Sequence, residues 1–259
     1  MDQPNFKEGI VVMLDALGVR SMSKGDSIAF LGKREKFITA IYEIIDDMAK
    51  QPFFRDSKVP KPNIITFGDT FIFHWPFEEQ TDQKLIAVGE FLKQVMRAGF
   101  ENEILLRGAI GAGEYTYTKE NDLILGPAVT DVANWYEQGN WIGIIATPHL
   151  GIRLSLIGER LLKGPKFPIY IWFDQYDVPL LSGESQKLWV ICWPSNYYLS
   201  RKTPSKVITT ARQDFLSALK QFAIPMNASN KFSNTIAFFD WCGKNAKESG
   251  IALESYLNG

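Results

Sequence analysis

Two aspartates stand where this sequence could do chemistry. Asp15 ends a short apolar, β-branched run at residues 10–14 (IVVML), which reads as a buried strand. Asp69 follows Gly68 between two strand-like runs, 63–67 (NIITF) and 70–75 (TFIFHW); a glycine at this point is the signal of a tight hairpin. A carboxylate at the end of a buried strand needs compensation, because an unpaired buried charge costs several kcal/mol or shifts its pKa. A divalent cation supplies it. Two carboxylates on adjacent strand ends can bridge two magnesium ions about 3.5–4 Å apart, the spacing of a two-metal phosphoryl-transfer site. Magnesium would keep waters and take phosphate oxygens as its other ligands. Singly, Asp15 could cap a turn and Asp69 could simply fit its hairpin. Together, on what should be neighbouring strands, they point to a site.

The residues after Asp15, ALGVRS at 16–21, add to this. A turn through Gly18 and Val19 could aim backbone N–H groups at a phosphate, and Arg20 could add charge. GAIGAG at 108–113 is not a dinucleotide fingerprint: its spacing departs from the motif, and EYTYT after it reads as strand, not helix. Its glycines fit close approach between strands. Only two histidines are present, His74 and His149, which disfavours Ser-His-Asp chemistry and multi-histidine metal sites. The two cysteines, Cys192 and Cys242, fit buried thiols better than a disulfide framework or a zinc site.

The elements that must position these residues follow from periodicity. Phe37, Ile41, Ile44, Ile45 and Met48 recur at helical spacing, so about 30–50 is an amphipathic helix. Leu85, Val88, Leu92, Val95 and Met96 mark a second helix, expected to close at Gly99. Residues 104–118 read as a strand with LILG as hairpin partner, Pro127 opens a third helix, and 141–146 make another strand. Beyond 150 we expect a helix near 152–163, strands at 168–173 and 187–192, and helices near 206–223 and 229–246. Helices and antiparallel strands mix, which predicts an α+β, ferredoxin-like sandwich. The expected division is a catalytic domain over 1–175, with 176–259 a C-terminal strand and helices packed on it rather than an independent domain.

With 259 residues, 46% apolar and 22% charged, the chain suits a globular core. A net charge of -1 gives no electrostatic case for nucleic acid or membrane. The polar start MDQPNFKEG lacks a signal-peptide core, and no apolar run reaches the roughly 18 residues that span a bilayer. A cytoplasmic protein without stable membrane insertion is expected.

In order along the chain, VVMLDALG at 11–18, ITFGDTFIF at 65–73, LLRGAIGAG at 105–113 and LGPAVTDVAN at 125–134 resemble the class III adenylate/guanylate cyclase domain. That family has a strand ending in Asp, a Gly-Asp hairpin, a Leu-Arg-x-Gly strand and a Gly-x-x-Val helix start. The resemblance spans roughly residues 8–175. It implies that Asp15 and Asp69 bind two Mg2+ or Mn2+ ions, with the Ala16 carbonyl as a further ligand. It also implies a nucleoside triphosphate substrate and a head-to-tail homodimer with active sites at the interface.

The departures bear on specificity. The base-reading lysine and aspartate of adenylate cyclases fall at Ile65 and Leu123. The third-helix Asn and Arg that steady ribose and phosphates fall at Thr130 and Asn134. A pocket without those partners should not read purines, since specificity comes from hydrogen bonds otherwise left unpaired. Size and these departures resemble stand-alone bacterial cyclases of the Pycsar antiphage type, implying a cyclic pyrimidine nucleotide from UTP first and CTP second. Arg107 is the candidate for base or phosphate contact; pairing with an acidic neighbour fits it equally. Two alternatives stay open: a catalytically inactive cyclase-like nucleotide-binding or interaction module, and a purine cyclase with displaced recognition residues.

Overall fold

A computed structural model describes residues 6–19, 22–56, 58–77, 82–161, 171–195, 197, 204–222, 224 and 226–248. Its strands are β1 (Lys7–Ala16), β2 (Asn63–Phe67), β3 (Thr70–Pro76), β4 (Leu106–Thr118), β5 (Leu123–Leu125), β6 (Ile144–Ala146), β7 (Phe173–Pro179) and β8 (Ser185–Ile191). Its helices are α1 (Lys24–Lys50), α2 (Pro52–Asp56), α3 (Asp82–Glu101), α4 (Pro127–Trp135), α5 (Pro148–Leu161), α6 (Pro204–Leu219) and α7 (Ser229–Glu248). The strands form one sheet in the order β2-β3-β1-β4-β6-β8-β7, with β5 paired to β4. Every pairing is antiparallel except β4 with β6. This is the expected α+β class: a mostly antiparallel sheet flanked by helices. The sheet continues across position 175, which β7 straddles.

Alternation along β1 assigns its two faces. Ile10, Val12 and Leu14, with Phe71, Phe73 and Trp75 of β3, join the large core under α1 and α3. Val11 and Met13, with Ala109 and Tyr115 of β4, form a smaller core under Ala128 and Val132 of α4. Asp15 and Arg107 continue this second face. β1 lies between β3 and β4, so both partners fix its register. Gly108 is required here: a Cβ on it would meet the Met13 carbonyl oxygen at 2.1 Å.

α1 buries the expected stripe, Phe37, Ile41, Ile45 and Met48, and starts earlier than its apolar pattern. A capping box between Ser23 and Asp26 sets that start. α3 runs past Gly99 to Glu101, because Phe100 is also buried, against Trp193 and Phe215. Only the last part of 141–146 is strand. The Ile142 N–H is bound instead by Thr235 Oγ1 of α7 at 2.9 Å, which takes the segment out of the ladder. Of the strand expected at 168–173, residues 168–170 lie outside the described set, and β7 begins at Phe173. α6 and α7 pack face to face through Phe215 and Phe239, rings stacked at 4.1 Å.

Candidate active site

Asp15 is the penultimate residue of β1, 5% exposed. It stands opposite Thr70 on one side and Arg107 on the other. Asp69 sits in the β2–β3 turn behind Gly68, whose φ of 58° is the left-handed geometry the hairpin needs. The Ala16 N–H donates to the Asp69 carbonyl at 3.0 Å, and the Leu17 N–H to the Leu105 carbonyl at 2.8 Å. These bonds lock the end of β1 between its neighbours. Asp69 is half-buried. The two aspartates, distant in sequence, therefore stand at one end of the sheet, close enough for the Asp69 charge to raise the Asp15 pKa.

Arg107 is 7% exposed and organises the other side. Its Nη2 donates to Asp15 Oδ2 at 3.3 Å and lies 3.7 Å from Glu137 Oε1. Its Nη1 donates to the Glu137 carbonyl at 2.8 Å and to the Gly139 carbonyl at 3.5 Å. The guanidinium thus ties β1 to the segment after α4. Burial raises the Asp15 pKa above its ordinary value; Arg107 pulls it down, and Asp69 and Glu137 push it up. The balance is upward, so one guanidinium does not offset the burial and the neighbouring carboxylates. That residual demand, and a donor set of carboxylate and carbonyl oxygens, fit a hard divalent cation such as Mg2+ or Mn2+. Asp15 and Asp69 would hold it. Among the described residues no cluster of three or more His, Cys, Asp or Glu side chains exists, so remaining ligands would come from water, backbone or substrate.

The other predicted site residues scatter. Gly18, with φ 89°, is exposed in the turn after β1; Val19 packs on the core beside it. Arg20 lies outside the described residues. Ile65 is half-buried on β2 opposite Ile72, on the Asp15 face, two strands away. Leu123 is 43% exposed on β5, opposite Thr118 at the far end of β4 from Arg107. Thr130 and Asn134 are both exposed on α4. One chain therefore gathers Asp15, Ala16, Asp69 and Arg107, and does not bring Leu123 to them.

Sequence reasoning missed two neighbours, Glu137 and Lys231. Glu137 follows α4 with no periodic pattern to mark it. Lys231 is a cation in the first turn of α7, against the preference of the helix dipole for anions there; that misplacement was the available signal.

No protein-family model matches the chain, and comparison with curated proteins finds no match. Among solved structures, the chain is similar to the monomeric guanylyl cyclase domain of the RhoGC fusion protein from the aquatic fungus Blastocladiella emersonii. That likeness has 14% identity and a TM-score of 0.45, and covers 73% of this chain and 97% of that one. It is also similar to the guanylate cyclase domain of RhGC from Catenaria anguillulae in complex with GTP (17% identity, TM-score 0.43, 72% and 97% covered). A third likeness is the catalytic core of a rhodopsin-guanylyl cyclase with converted specificity in complex with ATPalphaS (14%, 0.44, 73% and 98%).

Proposed function

We propose that this chain is a nucleotide cyclase that converts a nucleoside triphosphate to its 3′,5′-cyclic monophosphate and pyrophosphate. The observation that carries the reading is the meeting of Asp15 and Asp69 at one sheet end, where the charge of Asp69 bears on the buried Asp15. Divalent ions held there would supply the positive charge that acidifies a ribose 3′-hydroxyl and balances departing pyrophosphate. In the reaction the 3′-oxygen bonds to the α-phosphorus and its proton passes to solvent. The bond from the α-phosphorus to the bridging oxygen breaks, and pyrophosphate leaves with the electron pair. Arg107, bonded to Asp15 and to two carbonyls, acts in this reading as a positioning residue for Asp15 rather than a reader of the base.

The proposed substrate is a pyrimidine nucleotide, UTP before CTP. Ile65 and Leu123 offer no hydrogen bonds where purine cyclases carry lysine and aspartate, so nothing at these positions rewards a purine. The product would be a second messenger in antiphage defence, made by a cytoplasmic homodimer. The test is to mix the purified chain with each of the four ribonucleoside triphosphates and Mn2+, and measure pyrophosphate and cyclic product. Pyrimidine turnover supports the reading; turnover of ATP or GTP alone reassigns the base. No turnover of any triphosphate leaves the second reading, a nucleotide-binding module without activity. The observation favouring that reading is the exposed Asn134 on α4, where related enzymes place a phosphate-steadying arginine.

A further inference from the structure

The C-terminal helix α7 is fastened to the strip of chain that Arg107 holds. Arg107 takes the carbonyls of Glu137 and Gly139. One step further on, Asn234 donates to the Asn140 carbonyl at 2.8 Å, and Thr235 Oγ1 accepts the Ile142 N–H at 2.9 Å. Thr235 is buried and donates its own hydroxyl to the Lys231 carbonyl at 2.6 Å. Lys231, Asn234 and Thr235 are spaced three and four residues apart, so they share one face of α7. That face meets the strip Arg107 holds, and Lys231 lies one turn closer to the helix start than the two anchors.

The Lys231 side chain is half-buried, and among the described residues no carboxylate lies within ion-pair distance of its amine. Burial and the Arg107 guanidinium both lower its pKa, while Asp15 raises it. The amine therefore feels Asp15 and Arg107 without pairing to either. A half-buried ammonium without a carboxylate partner, in the first turn of a helix, is poorly placed unless an anion joins it.

We propose that Lys231 binds the phosphate chain of the nucleotide held at Asp15 and Asp69, supplied in cis by the C-terminal helix. The inference rests on the cyclase reading above and deepens it: α7, fastened to the strip that Arg107 holds, adds a residue to the substrate site. The anion is a di- or triphosphate rather than a base, since an ammonium is a point charge suited to phosphate oxygens.

The test uses the full chain with Mn2+ and 3′-deoxyuridine triphosphate, which lacks the attacking hydroxyl, with the cytidine, adenosine and guanosine counterparts in parallel. Binding is measured at equilibrium for the parent, Lys231→Met, Lys231→Arg and Asp69→Ala, with circular dichroism confirming the fold. Lys231→Met is expected to weaken triphosphate binding by about tenfold or more, the size of a charge-assisted contact. It should leave binding of the matching 3′-deoxy monophosphate within about twofold, and Lys231→Arg should restore most of the loss. Parent-like triphosphate binding by Lys231→Met, beside loss of Mn2+-dependent binding in Asp69→Ala, overturns the Lys231 assignment and leaves the cyclase reading standing. An equal loss for mono- and triphosphate also overturns it, because that reports a displaced helix. If the parent binds no triphosphate, both readings fall together.

Discussion

At the scale of single residues, the site asks Asp15 to be charged where the fold prefers it neutral. Its carboxyl pKa is raised by burial, and the ordinary value is 3.8. A group raised on folding favours the folded state below its unfolded pKa and loses that contribution as pH rises through the folded one. At neutral pH, ionised Asp15 therefore works against stability. Asp15→Asn, neutral throughout, is expected to melt higher than the parent at pH 7 in EDTA, with the difference vanishing at acid pH. Added Mn2+ should raise the parent and not the variant, by about 2.7 kcal/mol at a hundred times the dissociation constant. A variant that melts lower at pH 7 would show that Arg107 outweighs the burial. Asp69→Ala should abolish cyclisation and leave the circular dichroism spectrum unchanged; retained turnover removes the metal assignment. His74 behaves in the opposite sense. Buried on β3 with Nδ1 3.1 Å from Tyr115 Oη, its pKa is pushed down to about 4 from 6.5. The proton it refuses in the folded state makes its contribution complete above pH 6.5 and lost as pH falls towards 4. A shift of that size is worth about 3 kcal/mol. Urea titrations between pH 7 and pH 4.5 should show this slope in the parent and a flatter one in His74→Phe.

At the scale of elements, local patterns were legible wherever the period and the terminating chemistry agreed. The hairpin around Gly68 and the stripe of α1 are set by residues a few positions apart. Elements whose ends depend on distant contacts were not legible. α3 extends because Phe100 finds Trp193 and Phe215, and 141–143 leaves the sheet because Thr235 claims the Ile142 N–H. That last bond bears a prediction. Thr235→Val keeps the side-chain volume and leaves the buried Ile142 N–H without a partner, at a cost of about 1–3 kcal/mol. Chemical denaturation should show this loss, and hydrogen exchange should quicken at 140–142 and in the first two turns of α7. Unchanged exchange there would mean that the stacked Phe215 and Phe239, not Thr235, hold the helix in place.

At the scale of the whole molecule, half of the candidate site was written in the sequence. Asp15 and Asp69 announce themselves because one stands at the end of an apolar run and the other in a Gly-Asp hairpin turn, and the sheet order then brings them to one end of the sheet. Glu137, and Lys231 as proposed above, arrive through topology alone, one after α4 and one on a helix that no motif reaches. Leu123 poses a different problem. β4 is 13 residues long, roughly 40 Å of strand at about 3.3 Å per residue. Arg107 lies near its start, and Thr118, the partner of Leu123, at its end. If Leu123 faces a nucleotide base, that base cannot be bound at the Asp15 of the same chain. The proposed homodimer, if its copies are placed head to tail, would resolve this by setting the β5 end of one chain against the aspartates of the other. Exposed apolar side chains stand at both of these ends: Phe67 is 83% exposed beside the Asp69 turn, and Leu123 and Leu125 are 43% and 51% exposed on β5. A site shared between copies makes activity depend on protein concentration. Specific activity should therefore fall on dilution in step with the dimer fraction measured by sedimentation velocity, and Phe67→Asp should move both curves to higher concentration together. A monomer that retains full specific activity would place the whole site within one chain and leave Leu123 without a part in it.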